Sequence, residues 1–365
     1  KKISERTINT TVAVTIETAS NKAEYLKVNI LHNPKNIAST TDGRYYVRVG
    51  DNCNPVPPDE MARLAADKNT FVWELLTTKL VPVTRVDEKK KSDFLRDVRS
   101  SERVKNFVKE KSDEEILEHY LFQKDEYLTN LGILWIGQRS DRASLMYPPI
   151  IQVIRYDQRE KKVWKQVLDD YYLNPKEMLE WVLTEVPDWQ ESIEISEGMF
   201  RKNIHYYPEE VVRELVVNAL VHRTYTTRGD IFINIYQDRL EIHSPGRLPY
   251  GVTPQNILNQ SVRRNEHLSR VFHDLKLMEA EGSGYDIVYA RLLASGQPIP
   301  TVQEPDDRVV VTVMKQYISE QVVRLMDRAN AEYQLSQKET ITLGLISQKQ
   351  SFSAVELSKI LNRRT

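Results

Sequence analysis

Cysteine is almost missing from this chain: Cys53 is the only one among 365 residues. An internal disulfide and a cysteine-built zinc cage are therefore excluded, which suits a reducing compartment. No apolar run approaches the roughly 20 residues that a membrane-crossing helix needs. The charged start Lys1-Lys2 is not followed by the apolar core of a signal peptide. A cytoplasmic location without a membrane partner is the expectation. An excess of one charge is lacking too, since the formal net charge is -1, and any hold on nucleic acid must come from local patches. Internal repeats and low-complexity stretches are absent. So is a Gly-x-x-x-x-Gly-Lys-Ser/Thr phosphate loop, which excludes a conventional P-loop motor.

What is there is ordinary for a globular protein, with 40% apolar and 28% charged residues. The length allows two or three cores. The run Thr11 to Ile16 and the run Tyr25 to Leu31 alternate like strands, and Asp42-Gly43 signals a turn leading into Tyr45 to Gly50. Pro58 and Asp59 open a short helix over 60–66. From Phe71 to Tyr127 the spacing is helical. Leu128 to Ile136 and Ile150 to Tyr156 return to apolar, β-branched character, so this connector is expected to end in a sheet. Helices and strands alternate from Trp164 to Lys315, and Gln321 to Thr365 is helical again. The fold class is α+β and multidomain, with expected boundaries at 1–75, 76–163, 164–315 and 316–365. The segment Arg85 to Lys111 carries ten Lys or Arg against six Asp or Glu, readable as a nucleic-acid patch or as a solvated mixed-charge helix face.

Chemistry concentrates after Tyr207-Pro208-Glu209-Glu210, a helix start with Pro in the first turn and acids at the positive end of the dipole. Along the helix to Val221, Glu214 and Asn218 are four residues apart and stack one turn above each other beside an apolar face. An Asn oxygen can join an Mg²⁺ shell while a Glu one turn away orients or deprotonates water. The same spacing also arises on helix faces with no site. Two strands follow, Asp230 to Tyr236 and Leu240 to Ile242. The loop Ser244-Pro245-Gly246-Arg247-Leu248-Pro249 comes next, in which Gly lets backbone approach a flat ligand. Glu281-Gly282-Ser283-Gly284-Tyr285-Asp286 then opens a helix with backbone N–H groups suited to phosphate. His222-Arg223 reads either as a phosphate or partner contact or as a complement to the negative helix end.

This order of motifs resembles the GHKL ATPases, the group of gyrase B and the histidine kinases, whose fold is a Bergerat-type α/β sandwich. Glu214 to Ala219 looks like their N box. Glu214 to Tyr225, Glu241 to Pro249, Ser261 to Asn265 and Glu279 to Gly284 are similar to the branch of RecG-related helicase C-terminal domains and transcriptional regulators. The resemblance implies that Asn218 binds Mg²⁺ and Glu214 is the general base. It sets Ser244, Gly246 and Leu248 against adenine, Arg264 and Asn265 in a lid, and Gly282, Ser283 and Gly284 at the phosphates. His243-Ser244 stands where the family carries an adenine-binding Asp, and a hydroxyl accepts less strongly than a carboxylate.

Tyr45 to Gly50 with the helix from Pro58 resembles the end of a Schlafen/AlbA-like (divergent AAA-4) bacterial domain, in which Arg48 reads as a nucleic-acid contact or an edge-strand salt bridge. Leu128 to Gly137 resembles the joining segment of such proteins. The acidic nuclease residues of some Schlafens are absent, so no nuclease site is assigned. At the other end, Gln337 to Gln348 and Ser353 to Leu361, the latter with a Ser353/Glu356 capping box, look like the first helices of a winged helix-turn-helix. A plain helical hairpin fits the pattern as well. The start without Met and the stop after an amphipathic helix suggest a piece of a longer protein. The implied partners are ATP or ADP with Mg²⁺, and DNA through flanking domains; homo-oligomerisation stays open. The implied role is transcriptional regulation. A slow ATPase or helicase-related subunit in nucleic-acid processing or phage defence is the alternative.

Overall fold

A computed structural model describes residues 6–19, 21–31, 37–49, 52–61, 64–65, 72–197, 200–249, 252–259, 262–278, 284–316 and 320–348. The chain divides into two compact units, one built on residues 1–72 and the other on residues 73–248 and 253–365.

In the smaller unit, β1 (Thr11–Thr18) and β2 (Glu24–Leu31) form an antiparallel pair. β3 (Tyr46–Val49) and β4 (Asn52–Pro55) form another. The Asp42-Gly43 turn is present, with Gly43 at φ +79 and its N–H donating to the Thr40 carbonyl at 3.0 Å. Proline in the first turn starts a 3-10 helix at Pro58–Glu60, where the sequence places a helix start. The side chain of Arg48 lies outside the described residues.

The larger unit begins with helices α1 (Glu88–Ser100), α2 (Asp113–His119) and α3 (Asn130–Ile136). Asp87 caps α1 by accepting from the Lys90 N–H, and Ser112 and Glu115 cap α2 reciprocally. Several charges of the Arg85 to Lys111 stretch pair within the protein: the buried Lys90 with Glu177, and at the surface Arg99 with Asp113 at 2.6 Å and Arg85 with Asp141 at 3.1 Å. That arrangement favours the mixed-charge helix face over a nucleic-acid patch.

The run from Leu128 to Ile136 departs from the expected strand. Only Tyr127–Leu128 is extended, and Asn130 to Ile136 is a helix buried at every position, started by Thr129 accepting from the Gly132 N–H. A continuous apolar run is compatible with a buried strand or a buried helix, so periodicity does not separate them. Gly132 is required there, because a Cβ would fall 2.0 Å from the Phe122 carbonyl oxygen.

Next come β5 (Ile151–Tyr156), β6 (Lys162–Leu168), α4 (Pro175–Glu185), β7 (Ser192–Glu197) and β8 (Phe200–His205). α5 (Glu209–Val221), β9 (Ile231–Ile235), β10 (Arg239–Pro245), α6 (Glu266–Asp274) and α7 (Gly284–Ala294) follow. β11 (Thr301–Gln303), β12 (Arg308–Met314), α8 (Glu320–Tyr333) and α9 (Gln337–Gln348) complete the unit. The central sheet is six-stranded and mixed, in the order β6-β5-β9-β10-β12-β11. β9 runs parallel to β5, with Ile233 opposite Val153, and the other neighbours are antiparallel. Val153, Ile233, Leu240, Ile242 and Val313 bury the sheet's apolar positions. α5 packs between β10, α4 and α7. The expected second helix of the winged helix, with its Ser353 and Glu356, lies outside the described residues.

Candidate functional site

α5 carries the two residues singled out by spacing. The acids Glu209 and Glu210 occupy its first turn, behind Pro208. The helix is buried on more than one face, since α4 and α7 pack on it as well as the sheet strand β10. Glu214 is only 3% exposed, and Asn218 is half-buried, its Nδ2 donating to Glu214 Oε1 at 3.1 Å. The first residue of α7 rests on this pair: a Cβ on Gly284 would lie 2.1 Å from Glu214 Oε1 and 3.5 Å from Asn218 Nδ2. Only glycine permits that approach. The two preceding residues expected at phosphate, Gly282 and Ser283, lie outside the described residues.

β10 delivers the loop expected at adenine. Ser244 Oγ donates to the Ala219 carbonyl in α5 at 3.2 Å, which leaves its lone pairs to accept from something else. Gly246 sits at φ +95, donates to the Asp307 carbonyl at 2.8 Å, and would bring a Cβ within 2.3 Å of Thr224 Oγ1. The Leu248 N–H donates to Glu304 Oε1 at 2.6 Å and its side chain is buried. The turn between β11 and β12 thus holds the loop from outside.

Arg264 and Asn265 converge on the end of α5, where the last carbonyls of a helix lack internal partners. Asn265 Nδ2 donates to the Val221 and Arg223 carbonyls at 2.7 and 2.8 Å. Arg264 Nη1 donates to the His222 carbonyl at 3.0 Å and Thr224 Oγ1 at 2.9 Å, and its Nη2 donates to the Arg247 carbonyl at 2.9 Å. These bonds make both residues clamps that tie the helix end to the Ser244–Leu248 loop.

His222 and Arg223 fit neither sequence reading cleanly. Arg223 is buried, donating to the Tyr147 carbonyl and to the Gly229 carbonyl, each at 2.8 Å, so it joins two loops rather than capping α5 or facing a ligand. Burial holds its guanidinium below the usual arginine range. His222 is pushed down to about 4, by burial first and then by Arg264 and Arg263.

Two residues that spacing did not single out matter more here. Trp73 stacks on Tyr225 with ring centroids 4.6 Å apart. Beside it, the buried Glu74 carboxylate accepts from the Leu268 N–H at 2.5 Å in the first turn of α6, across 194 positions of sequence. Burial pushes Glu74 up to about 7, against the backbone bonds from Leu268 and His267. The only local signal was an isolated acid among apolar residues.

Next to Glu214 opens a cavity of about 1050 Å³, reached by Glu210, Arg213, Lys276, Met278, Arg291 and Met326 among others. Its lining mixes charged and apolar side chains, with Arg291 paired to Glu210 at 3.4 Å and Lys276 to Glu102 at 2.7 Å.

Three comparisons bear on this geometry. Residues 229–313 match a family model described as "Putative ATP-dependent DNA helicase recG C-terminal". The match spans β9 through most of β12 and contains Ser244, Gly246, Leu248, Arg264 and Asn265, while Glu214 and Asn218 precede it. No curated protein matches the chain. Among solved structures, the DIP2311 protein from Corynebacterium diphtheriae shares the fold at a TM-score of 0.67 and 21% identity, over 97% of this chain and 69% of that one. No helix among the described residues is long and apolar enough to cross a membrane. Within the larger unit, residues 229–313 are thus similar to an ATPase-like domain, which supports nucleotide binding.

Proposed function

We propose that the larger unit binds ATP or ADP with Mg²⁺ against the face of α5 that carries Glu214 and Asn218, and relays occupancy to the DNA-associated parts of a transcriptional regulator. The observation that carries this reading is the meeting of a buried carboxylate, a carboxamide and a glycine-started helix at one point, in a unit that matches an ATPase-like family over residues 229–313.

Asn218 donates through Nδ2 to Glu214, so its Oδ1 is turned away from the carboxylate and can accept a metal. Among the described residues no group of three His, Cys, Asp or Glu could hold a metal ion. Mg²⁺ takes one or two protein ligands and otherwise keeps water and substrate phosphate oxygens, whose charge it neutralises. Glu214 orients water and takes its proton. Gly284 rests on Glu214 Oε1, so the first turn of α7 crowds one side of the carboxylate, and turnover is slow. Ser244 accepts from the adenine amino group while donating to Ala219, and Gly246 and Leu248 line the base. Gly282, Ser283 and Gly284 face the phosphates, and Arg264 and Asn265 hold this wall against α5. α7 carries the signal onward, because its Tyr289, Ala290 and Leu293 share a core with Ile341 and Leu345 of α9.

Calorimetry tests the site: Asn218→Ala loses the Mg²⁺-dependent part of the affinity, and Glu214→Gln abolishes phosphate release with binding nearly intact. Absence of binding by the unaltered chain at millimolar nucleotide sinks the proposal. DNA-processing activity that persists in Glu214→Gln separates regulation from the ATPase-driven alternative.

A further inference from the structure

α6 ends in a turn that its own sequence does not favour. The Lys276 N–H donates to the His273 carbonyl at 3.0 Å and the Leu277 N–H to the Phe272 carbonyl at 2.9 Å, the two bonds of a Schellman turn. Such a turn needs a left-handed residue where the chain leaves the helix, usually glycine, and here Lys276 fills the place at φ +58. A residue strained in this way persists where its surroundings over-determine it. Three consecutive residues directly after α1 do so. The buried Ser101 donates through Oγ to the Asp274 carbonyl at 2.5 Å, and Lys276 Nζ donates to Glu102 at 2.7 Å. Arg103 Nη1 donates to the His273 carbonyl at 3.2 Å and, more closely, to the Met278 carbonyl. The Arg103 N–H donates in turn to Ser101 Oγ at 3.2 Å, which sets its own backbone. Glu102 has a side chain 87% exposed, so its ion pair contributes little. The bonds from Arg103 are charge-assisted, the stronger kind.

The turn held in this way borders the α5 site. Lys276, Leu277 and Met278 line the cavity beside Glu214, and the chain that leaves Met278 next appears among the described residues at Gly284, against the Glu214 carboxylate. We propose, on the reading of the α5 face as a nucleotide site, that Arg103 is a positioning residue for it. By holding the His273 and Met278 carbonyls together, Arg103 fixes the end from which the chain runs to α7, and with it the place where backbone N–H groups at the start of α7 meet phosphate. Arg103 acts through the backbone that it holds. Misplacing a positioning element by about 1 Å can cost on the order of 100-fold, so one lost donor at the turn carries to the ligand. Because a single nitrogen serves both carbonyls, the ammonium of a lysine can take over part of the task.

Calorimetry and hydrogen exchange of the whole chain with Mg²⁺ and ADP test this on Arg103→Ala and Arg103→Lys. Arg99→Ala is the control, since Arg99 lies in α1 close by and pairs with Asp113 at the surface. In the unaltered chain ADP protects both the Ser244–Leu248 loop and residues 278–287. Arg103→Ala weakens ADP at least about tenfold, and at saturating ADP it protects the loop but no longer residues 278–287. Arg103→Lys regains most of the affinity, and Arg99→Ala changes neither reading. Undiminished protection of residues 278–287 in Arg103→Ala overturns the inference. So does a lowered melting temperature with both segments weakened alike, the mark of a merely structural role. If Arg103→Ala does not fold, Ser101→Ala removes a neutral bond from the same turn and is expected to show the same selective loss, and its absence overturns the inference equally. A chain that binds no ADP in its unaltered form is a failure of the nucleotide reading itself, and the role of Arg103 falls with it.

Discussion

Replacing Glu74 by Gln separates the charge of a buried carboxylate from its hydrogen bonding. In the folded chain this carboxylate sits at the positive end of α6 and accepts from backbone N–H groups, yet burial dominates and lifts it from an ordinary 4.5 to about 7. Between those two values the folded protein keeps a proton that the unfolded chain releases. The stability that Glu74 contributes is therefore highest below pH 4.5 and falls as pH rises to about 7, after which its loss is complete. At about 1.4 kcal/mol for each unit of pKa difference, the loss is on the order of 3 kcal/mol. Glutamine keeps an oxygen for the Leu268 N–H and has nothing to titrate, so its advantage over glutamate should grow by that amount from pH 4.5 to pH 8. Urea unfolding at a series of pH values reads this out, with the fluorescence of Trp73, stacked on Tyr225, as a local probe. Other titrating groups are common to both proteins and cancel in the difference. Glu74→Ala provides the control: it strands the Leu268 N–H and should cost about 1–3 kcal/mol. Parallel stability curves for wild type and Glu74→Gln across this window would refute the reasoning.

His222 acts with the opposite sign. Its folded value of about 4 means that the unfolded chain takes up a proton first, so stability is lost as pH falls from 6.5 toward 4, and His222→Gln should flatten that limb in the same unfolding series. Gly284→Ala drives a Cβ into the Glu214 carboxylate, so a lowered melting temperature should accompany weakened nucleotide binding in calorimetry, whereas Ala at the exposed Gly43 turn should affect folding alone. Arg223→Met should cost about 3–5 kcal/mol in urea unfolding, because the Tyr147 and Gly229 carbonyls lose their charged donor and a packed stem is reshaped. A loss below 1 kcal/mol would show that those carbonyls find water.

Local chemistry made much of the larger unit legible. Pro208 with two acids marks the start of α5, alternation marks β9 and β10, and the pair at i, i+4 comes together as spacing requires. Glycines were legible as needed but not always for the reason given. Gly246 serves a positive φ and contact with Thr224. Gly284 serves a close approach to Glu214, which is a statement about two segments 70 positions apart. What stayed hidden has that long-range character throughout. Glu74 meets Leu268, Arg223 meets Tyr147, and Asn265 meets Val221, each pairing a side chain with a backbone group that sequence pattern does not mark. The buried α3 was hidden for another reason, since an unbroken apolar run carries no period.

These long-range bonds divide the parts around Glu214 and Asn218 into fixed and movable ones. α6 is held at both ends. Glu74 takes its first turn, Asn265 just ahead of it grips the end of α5, Tyr120 Oη donates to Asp274 Oδ2 at 2.8 Å, and Trp135 packs edge-on to Phe272 with centroids 5.5 Å apart. Each bond contributes about 0.5–1.5 kcal/mol net, and together they leave α6 no independent travel. α7 is different. It meets α5 through Gly284 at Glu214 and through the Arg291–Glu210 pair at 3.4 Å, and it shares its apolar side with α9. A ligand arriving between α5 and α7 finds the wall made by α6 and the Ser244–Leu248 loop fixed, so the displacement falls on α7. Under the proposed function, the helix that begins at Gly284 is the element predicted to answer to nucleotide, and the apolar cluster it shares with α9 is the route by which a shift beside Glu214 would reach the C-terminal helices.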